Sequence, residues 1–171
     1  MRAITLTQPW AGLVMAGIKL VENRPRPIIK NSDIVEALDS GVPLRIAIHA
    51  SREIDVAVYE WIARNDNCCD LWAPGVPHAI DGASEWYRLS QIKSSMLGTI
   101  DVTGALYIGG CSPVGIANAL SRVDMLSQLR FTFGPTVYTL AKPRVLKEPV
   151  PCRGKLGFWK VDPDLVGRVA A

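Results

Sequence analysis

With 171 residues, 49% of them hydrophobic and 20% charged, the chain has the apolar content for one sizeable core, which excludes a disordered polypeptide. A net charge of +3 excludes charge-driven binding of long duplexes, though not a local basic cleft. No apolar run reaches membrane-spanning length, and Met1-Arg2-Ala3-Ile4-Thr5-Leu6 lacks the apolar region of a signal peptide, so a cytoplasmic protein without a membrane partner is expected.

Residues 2–7 alternate enough for a strand. Pro9 suits a first helical turn after Gln8, with Trp10, Leu13 and Val14 on one apolar face and Gly17 as the stop. Residues 18–24 predict a second strand, ended by Pro25 and Pro27. Asn31 or Ser32 caps a short helix through Leu38, closed near Gly41. Leu44 to Ala50 is apolar enough for a buried, central strand. Ser51 then caps a helix over residues 53–64. Residues 65–84 are rich in turn formers, and a short helix follows over 85–93. Leu97 to Leu106 predicts a strand, 109–115 a loop, and 115–129 a helix. Thr136 to Val145 predicts another strand, with Pro143 at an edge or bulge. Gly157 to Val161 makes the last strand, before a short C-terminal helix. The fold class is therefore α+β, with a small mixed barrel flanked by short helices.

Gly17-Ile18-Lys19-Leu20-Val21-Glu22-Asn23-Arg24 sets two cations and an anion close together after a glycine. On a strand Glu22 and Arg24 share a face and can pair, while Lys19 falls at the strand's start. Such charges are costly to bury unless paired or facing a polar ligand. On a helix Lys19 and Glu22 would be an ordinary surface pair. Cys68, Cys69, Cys111 and Cys152 include no C-x-x-C, and neither His49 nor His78 stands at zinc spacing from them. No metal and no cofactor are expected. No G-x-S-x-G elbow or phosphate loop occurs.

Four segments in order resemble the ASCH domain of the PUA-like superfamily. They are Leu6-Thr7-Gln8-Pro9-Trp10-Ala11, the G-x-K-x-x-E-x-R element from Gly17 to Arg24, Ala47-Ile48-His49-Ala50-Ser51, and Pro149-Val150-Pro151-Cys152-Arg153-Gly154 running into Leu156-Gly157-Phe158-Trp159. The resemblance spans residues 1–171 as a single domain, with insertions at about 52–96 and 109–130. It implies a small β-barrel with a cleft lined by the hallmark residues, and links to RNA binding, RNA processing and transcription coactivation. Some relatives are ribonucleases or amidohydrolases acting on acylated nucleosides. The amidohydrolases carry a nucleophilic threonine where this chain has Glu22, and Pro25-Arg26-Pro27 replaces the usual aromatic after the hallmark arginine.

The expected ligand-binding set is Trp10, Lys19, Glu22, Arg24, His49, Ser51, Arg153 and Gly154. Lys19 would hold a phosphate or polarise a carbonyl, Glu22 would accept from a base edge, and Arg24 would offer a planar fork. Trp10 would stack a base, worth ~1–3 kcal/mol. His49, in an apolar strand, is as readily a core residue. The leading expectation is a nucleotide or nucleic-acid recognition module for single-stranded RNA or a modified nucleoside. One alternative is a hydrolase acting on RNA or a nucleoside, with Lys19 and Glu22 catalytic. Another is a protein–protein adaptor using residues 65–84. Lys19, placed at a cleft rim, is expected to tolerate replacement by alanine with little loss of stability.

Overall fold

The structure is a computed structural model that describes residues 1–25, 32–65 and 85–170. Pro27, Asn31, Cys68, Cys69, His78 and nearly all of the turn-rich segment expected over 65–84 lie outside the described residues. The elements in chain order are β1 (Arg2–Gln8), α1 (Trp10–Met15), β2 (Val21–Arg24), α2 (Ser32–Asp39), β3 (Leu44–Ile54), α3 (Val56–Asn65) and α4 (Glu85–Ser90). They continue with β4 (Ser95–Tyr107), α5 (Pro113–Ser121), a 3-10 turn over Leu126–Phe131, β5 (Thr136–Pro151), β6 (Phe158–Lys160) and α6 (Pro163–Ala170). The six strands follow the order β2-β5-β4-β3-β1-β6. That order is an open mixed sheet, not a closed ring, so the expected barrel is not confirmed. The sheet ends on β2 and β6, only four and three residues long, and such short ends leave few backbone groups open to stray pairing. Among the described residues no helix is long and apolar enough to cross a membrane.

The chain forms two compact units. The first comprises Met1–Ile18, Ile46–Ile100 and Pro143–Ala171. Here β1 runs parallel to β3, with Thr5 opposite His49, and antiparallel to β6, with Ala3 opposite Trp159. Ala3, Ala47, Met96, Val150, Trp159, Val161 and Val169 form its core, with Leu165 and Val166 of α6 packed against them. Residues i, i+1 and i+4 of that helix thus face inward, which leaves Arg168 exposed. Gly98 lies fully against a neighbouring backbone: a Cβ there would run into the Arg144 carbonyl and the Met15 methyl.

α1 ends as expected at Gly17, whose φ of +75° suits glycine. The Gly17 amide donates to the Val14 carbonyl and the Ile18 amide to the Leu13 carbonyl, which closes the helix with a Schellman pair. At the other end Gln8 is wholly buried. Its amide donates to the carbonyls of Leu89 and Ile92, and its oxygen accepts from the Gly12 amide. One side chain thereby satisfies an orphan donor of α1 and the end of α4.

The second unit comprises Lys19–Arg45 and Asp101–Lys142. Here β2 pairs antiparallel with β5, with Glu22 opposite Tyr138 and Arg24 opposite Thr136. Asn23 ties β2 to the 3-10 turn: its amide donates to the Phe131 carbonyl and its oxygen accepts from the Phe133 amide. Gln128 accepts from the Leu20 amide. Two expectations need correction. The helix foreseen over 115–129 breaks at Asp124, which takes a φ of +56° and separates α5 from the 3-10 turn. Ser51 does not cap α3. β3 runs on to Ile54, Ser51 closes a local turn with Glu53, and Asp55 accepts from the Val58 amide as the actual cap. The irregularity expected at Pro143 is present as a φ of +52° at Lys142, yet β5 continues to Pro151.

Candidate functional site

Lys19, Glu22 and Arg24 do come together, within the second unit. The Schellman turn at Gly17 delivers the chain to Lys19, and β2 then sets Glu22 and Arg24 on one face. Lys19 Nζ donates to the Val21 carbonyl and to Glu22 Oε2 at 3.3 Å. The other Glu22 oxygen lies 3.1 Å from Arg24 Nε. That N–H finds no hydrogen-bond partner, so the contact is an ion pair without a well-aimed bond. Side-chain exposure rises along the chain of charges, from 2% at Lys19 to 11% at Glu22 and 23% at Arg24. Arg24 is therefore the end that solvent or ligand meets, and Lys19 is the anchor.

The burial of Lys19 corrects the expectation of a rim position. Desolvation pulls its proton affinity below the ordinary lysine value; Glu22 opposes this by charge and hydrogen bond, while repulsion from Arg24 adds to it. A buried cation persists only where such compensation exists. Opposite residues of an antiparallel pair share a face, so Tyr138 and Thr136 stand with Glu22 and Arg24. The Thr136 hydroxyl is buried and has no hydrogen-bond partner among the described residues. Sequence reasoning missed both, because only the strand register brings them alongside.

The other expected residues belong to the first unit. His49 is buried, and its Nε2–H donates to the Cys152 carbonyl at 3.1 Å in the tautomer that bond requires. Its ring meets Trp159 edge-on at 6.0 Å, and the Trp159 indole donates to Thr5 Oγ1. Gly154 completes this packing: a Cβ there would fall 2.5 Å from the ring's Nδ1 and Cε1 and 2.8 Å from Thr5 Oγ1. Burial lowers the proton affinity of His49, with the Cys152 carbonyl opposing. His49 and Gly154 thus pack closely with Thr5 and Trp159, and the buried His49 Nδ1 has no hydrogen-bond partner among the described residues. Arg153 is exposed beside it. Ser51 is held in its own turn, and Trp10 is half-buried against Leu13 and Trp86. Among the described residues no three His, Cys, Asp or Glu side chains are placed to hold a metal ion.

An ASCH protein from Zymomonas mobilis and a serine-to-alanine mutant of it are solved structures similar to this chain. Each match covers 99% of this chain, and 92% and 93% of the respective partner, at 14% identity and a TM-score of 0.48. The matched structures carry the name of the family that the four sequence segments resemble. At that identity and score the likeness carries no argument about activity. No family model and no curated protein sequence matches the chain.

Proposed function

We propose that the protein recognises single-stranded RNA or a modified nucleoside through Glu22 and Arg24. The observation that supports this is the graded exposure of the cation–anion–cation chain. Lys19 fixes one Glu22 oxygen. Arg24, the accessible member, has a planar fork suited to a phosphate or a base edge, and Glu22 can accept from an exocyclic amine. Splayed bases are read by edge hydrogen bonds of this kind. The resemblance to the ASCH family points the same way.

The hydrolase alternative draws on the lowered proton affinity of Lys19. A lysine that is 1% exposed and already bonded to Glu22 meets no substrate unless its partners move, so recognition is the better reading. The test is affinity for short single-stranded RNAs and a panel of modified nucleosides. Arg24→Ala should weaken binding about tenfold or more, in keeping with a hydrogen bond to a charged group. Equal affinity of Arg24→Ala and wild type for every ligand bound would overturn the proposal.

A further inference from the structure

In the first unit, β5 and α6 border a cleft of about 510 Å³, a volume in the range of small-ligand sites. Neither Lys19, Glu22 nor Arg24 lines it. Its walls carry three exposed cations, Arg144, Lys147 and Arg168, and one anion, Glu148. Among the described residues none of these four side chains makes an ion pair or hydrogen bond, in contrast to Lys19, Glu22 and Arg24. The floor includes Leu146 and Val169, which belong to the packed core of the unit. The cleft is therefore backed by packed core and positively charged at its rim. Arg168 reaches the rim because the inward stripe of α6 is anchored by Leu165, Val166 and Val169.

We propose that this cleft is a second ligand site, which takes phosphate groups of a nucleotide or of a nucleic-acid strand. Three unpaired cations over a small concave surface match several phosphate oxygens, and arginine forks bind phosphate in pairs of hydrogen bonds. The apolar floor accepts the face of a base or sugar. Glu148 works against any anion and sets a ceiling on affinity. The site stands on residues that the Glu22–Arg24 proposal does not use.

The test titrates the full chain with a ten-residue oligouridylate, with AMP and with inorganic phosphate, at low and at moderate salt. Binding is read at the backbone amides of residues 144–148 and 165–169, so that events at Lys19, Glu22 and Arg24 register separately. For a strand touching three phosphates, log affinity should fall with log salt at a slope of about −2, from roughly −0.7 per phosphate. The triple variant Arg144→Gln, Lys147→Gln, Arg168→Gln should weaken the oligonucleotide at least tenfold and flatten that slope. Glu148→Gln should tighten it severalfold. If the oligonucleotide binds far better than AMP, the phosphates are those of a strand; if AMP binds equally well and responds to the same variants, they are those of a free nucleotide. Unchanged binding in the triple variant, absence of binding to all three probes, or weaker binding by Glu148→Gln would overturn the proposal. Should Arg24→Ala lose affinity while these amides stay silent, the Glu22–Arg24 reading survives and this one fails.

Discussion

The Lys19 cluster and the β5–α6 cleft both gather cations, and they differ in what the cations are bound to. In the cluster Lys19 and Arg24 spend their charge on Glu22, and the lysine is almost sealed from water. In the cleft Arg144, Lys147 and Arg168 are exposed and, among the described residues, hold no protein partner. Coulomb attraction between charges is weak in water and strong where water is excluded. The first arrangement therefore couples charge to stability, and the second leaves its charge exposed to solvent. Mutations should separate them on that basis.

The largest effect belongs to Glu22→Ala. It strands a buried cation, and removing one partner of a buried pair costs about 3–5 kcal/mol, or roughly 6–20 °C in melting temperature for a chain of this size. A melting curve that overlays wild type would show the cluster to be solvated after all. Next come two replacements of Lys19. Lys19→Ala should cost about 2–5 kcal/mol, as expected for a large buried side chain cut to alanine. Lys19→Met keeps the volume, removes a desolvated charge and leaves Glu22 paired with Arg24, so its cost should stay near or below about 1.5 kcal/mol. Denaturant midpoints that fail to separate the two variants would contradict a packed Lys19.

A third check uses pH. Burial holds the proton affinity of His49 below the ordinary histidine value of 6.5, so the folded protein favours the neutral ring. The corresponding stability is complete above pH 6.5. It is lost as pH falls from there toward the lowered folded-state value, because the unfolded chain then takes up a proton that the folded one refuses. His49→Gln should flatten the fall in melting temperature over that window. Identical acid slopes would place the sensitivity elsewhere. The smallest effect on stability is expected from the triple Gln variant of the cleft, within about 0.5 kcal/mol per substitution, since exposed side chains without partners support little. A large drop in its melting temperature would erase the contrast between the two regions.

Local rules carried much of the fold. Pro9 and Gly17 bracket α1, Gly41 follows α2, and strand alternation alone put Glu22 and Arg24 on one face. Misreadings arose where a distant contact decides. Arg52-Glu53 looks like a helix start, yet the Asp55 amide donates to the Gln8 carbonyl and the helix begins only beyond it. Ser51 and Asp55 are both good caps by composition, and geometry selects the second. Lysine statistics favour the surface, so nothing local announces the burial of Lys19. The cations of the cleft come from β5 and α6, more than twenty residues apart, and no spacing rule links them.

Gly98 and Arg144 illustrate how unequally a chain can vary at two touching positions. The Arg144 carbonyl occupies the space that any side chain at 98 would need, while its own guanidinium extends into solvent. In a saturation library selected for folding, position 98 should return glycine alone, whereas position 144 should accept almost every residue. The chemistry of the rim can thus be changed on a wall that one missing methyl group holds in place.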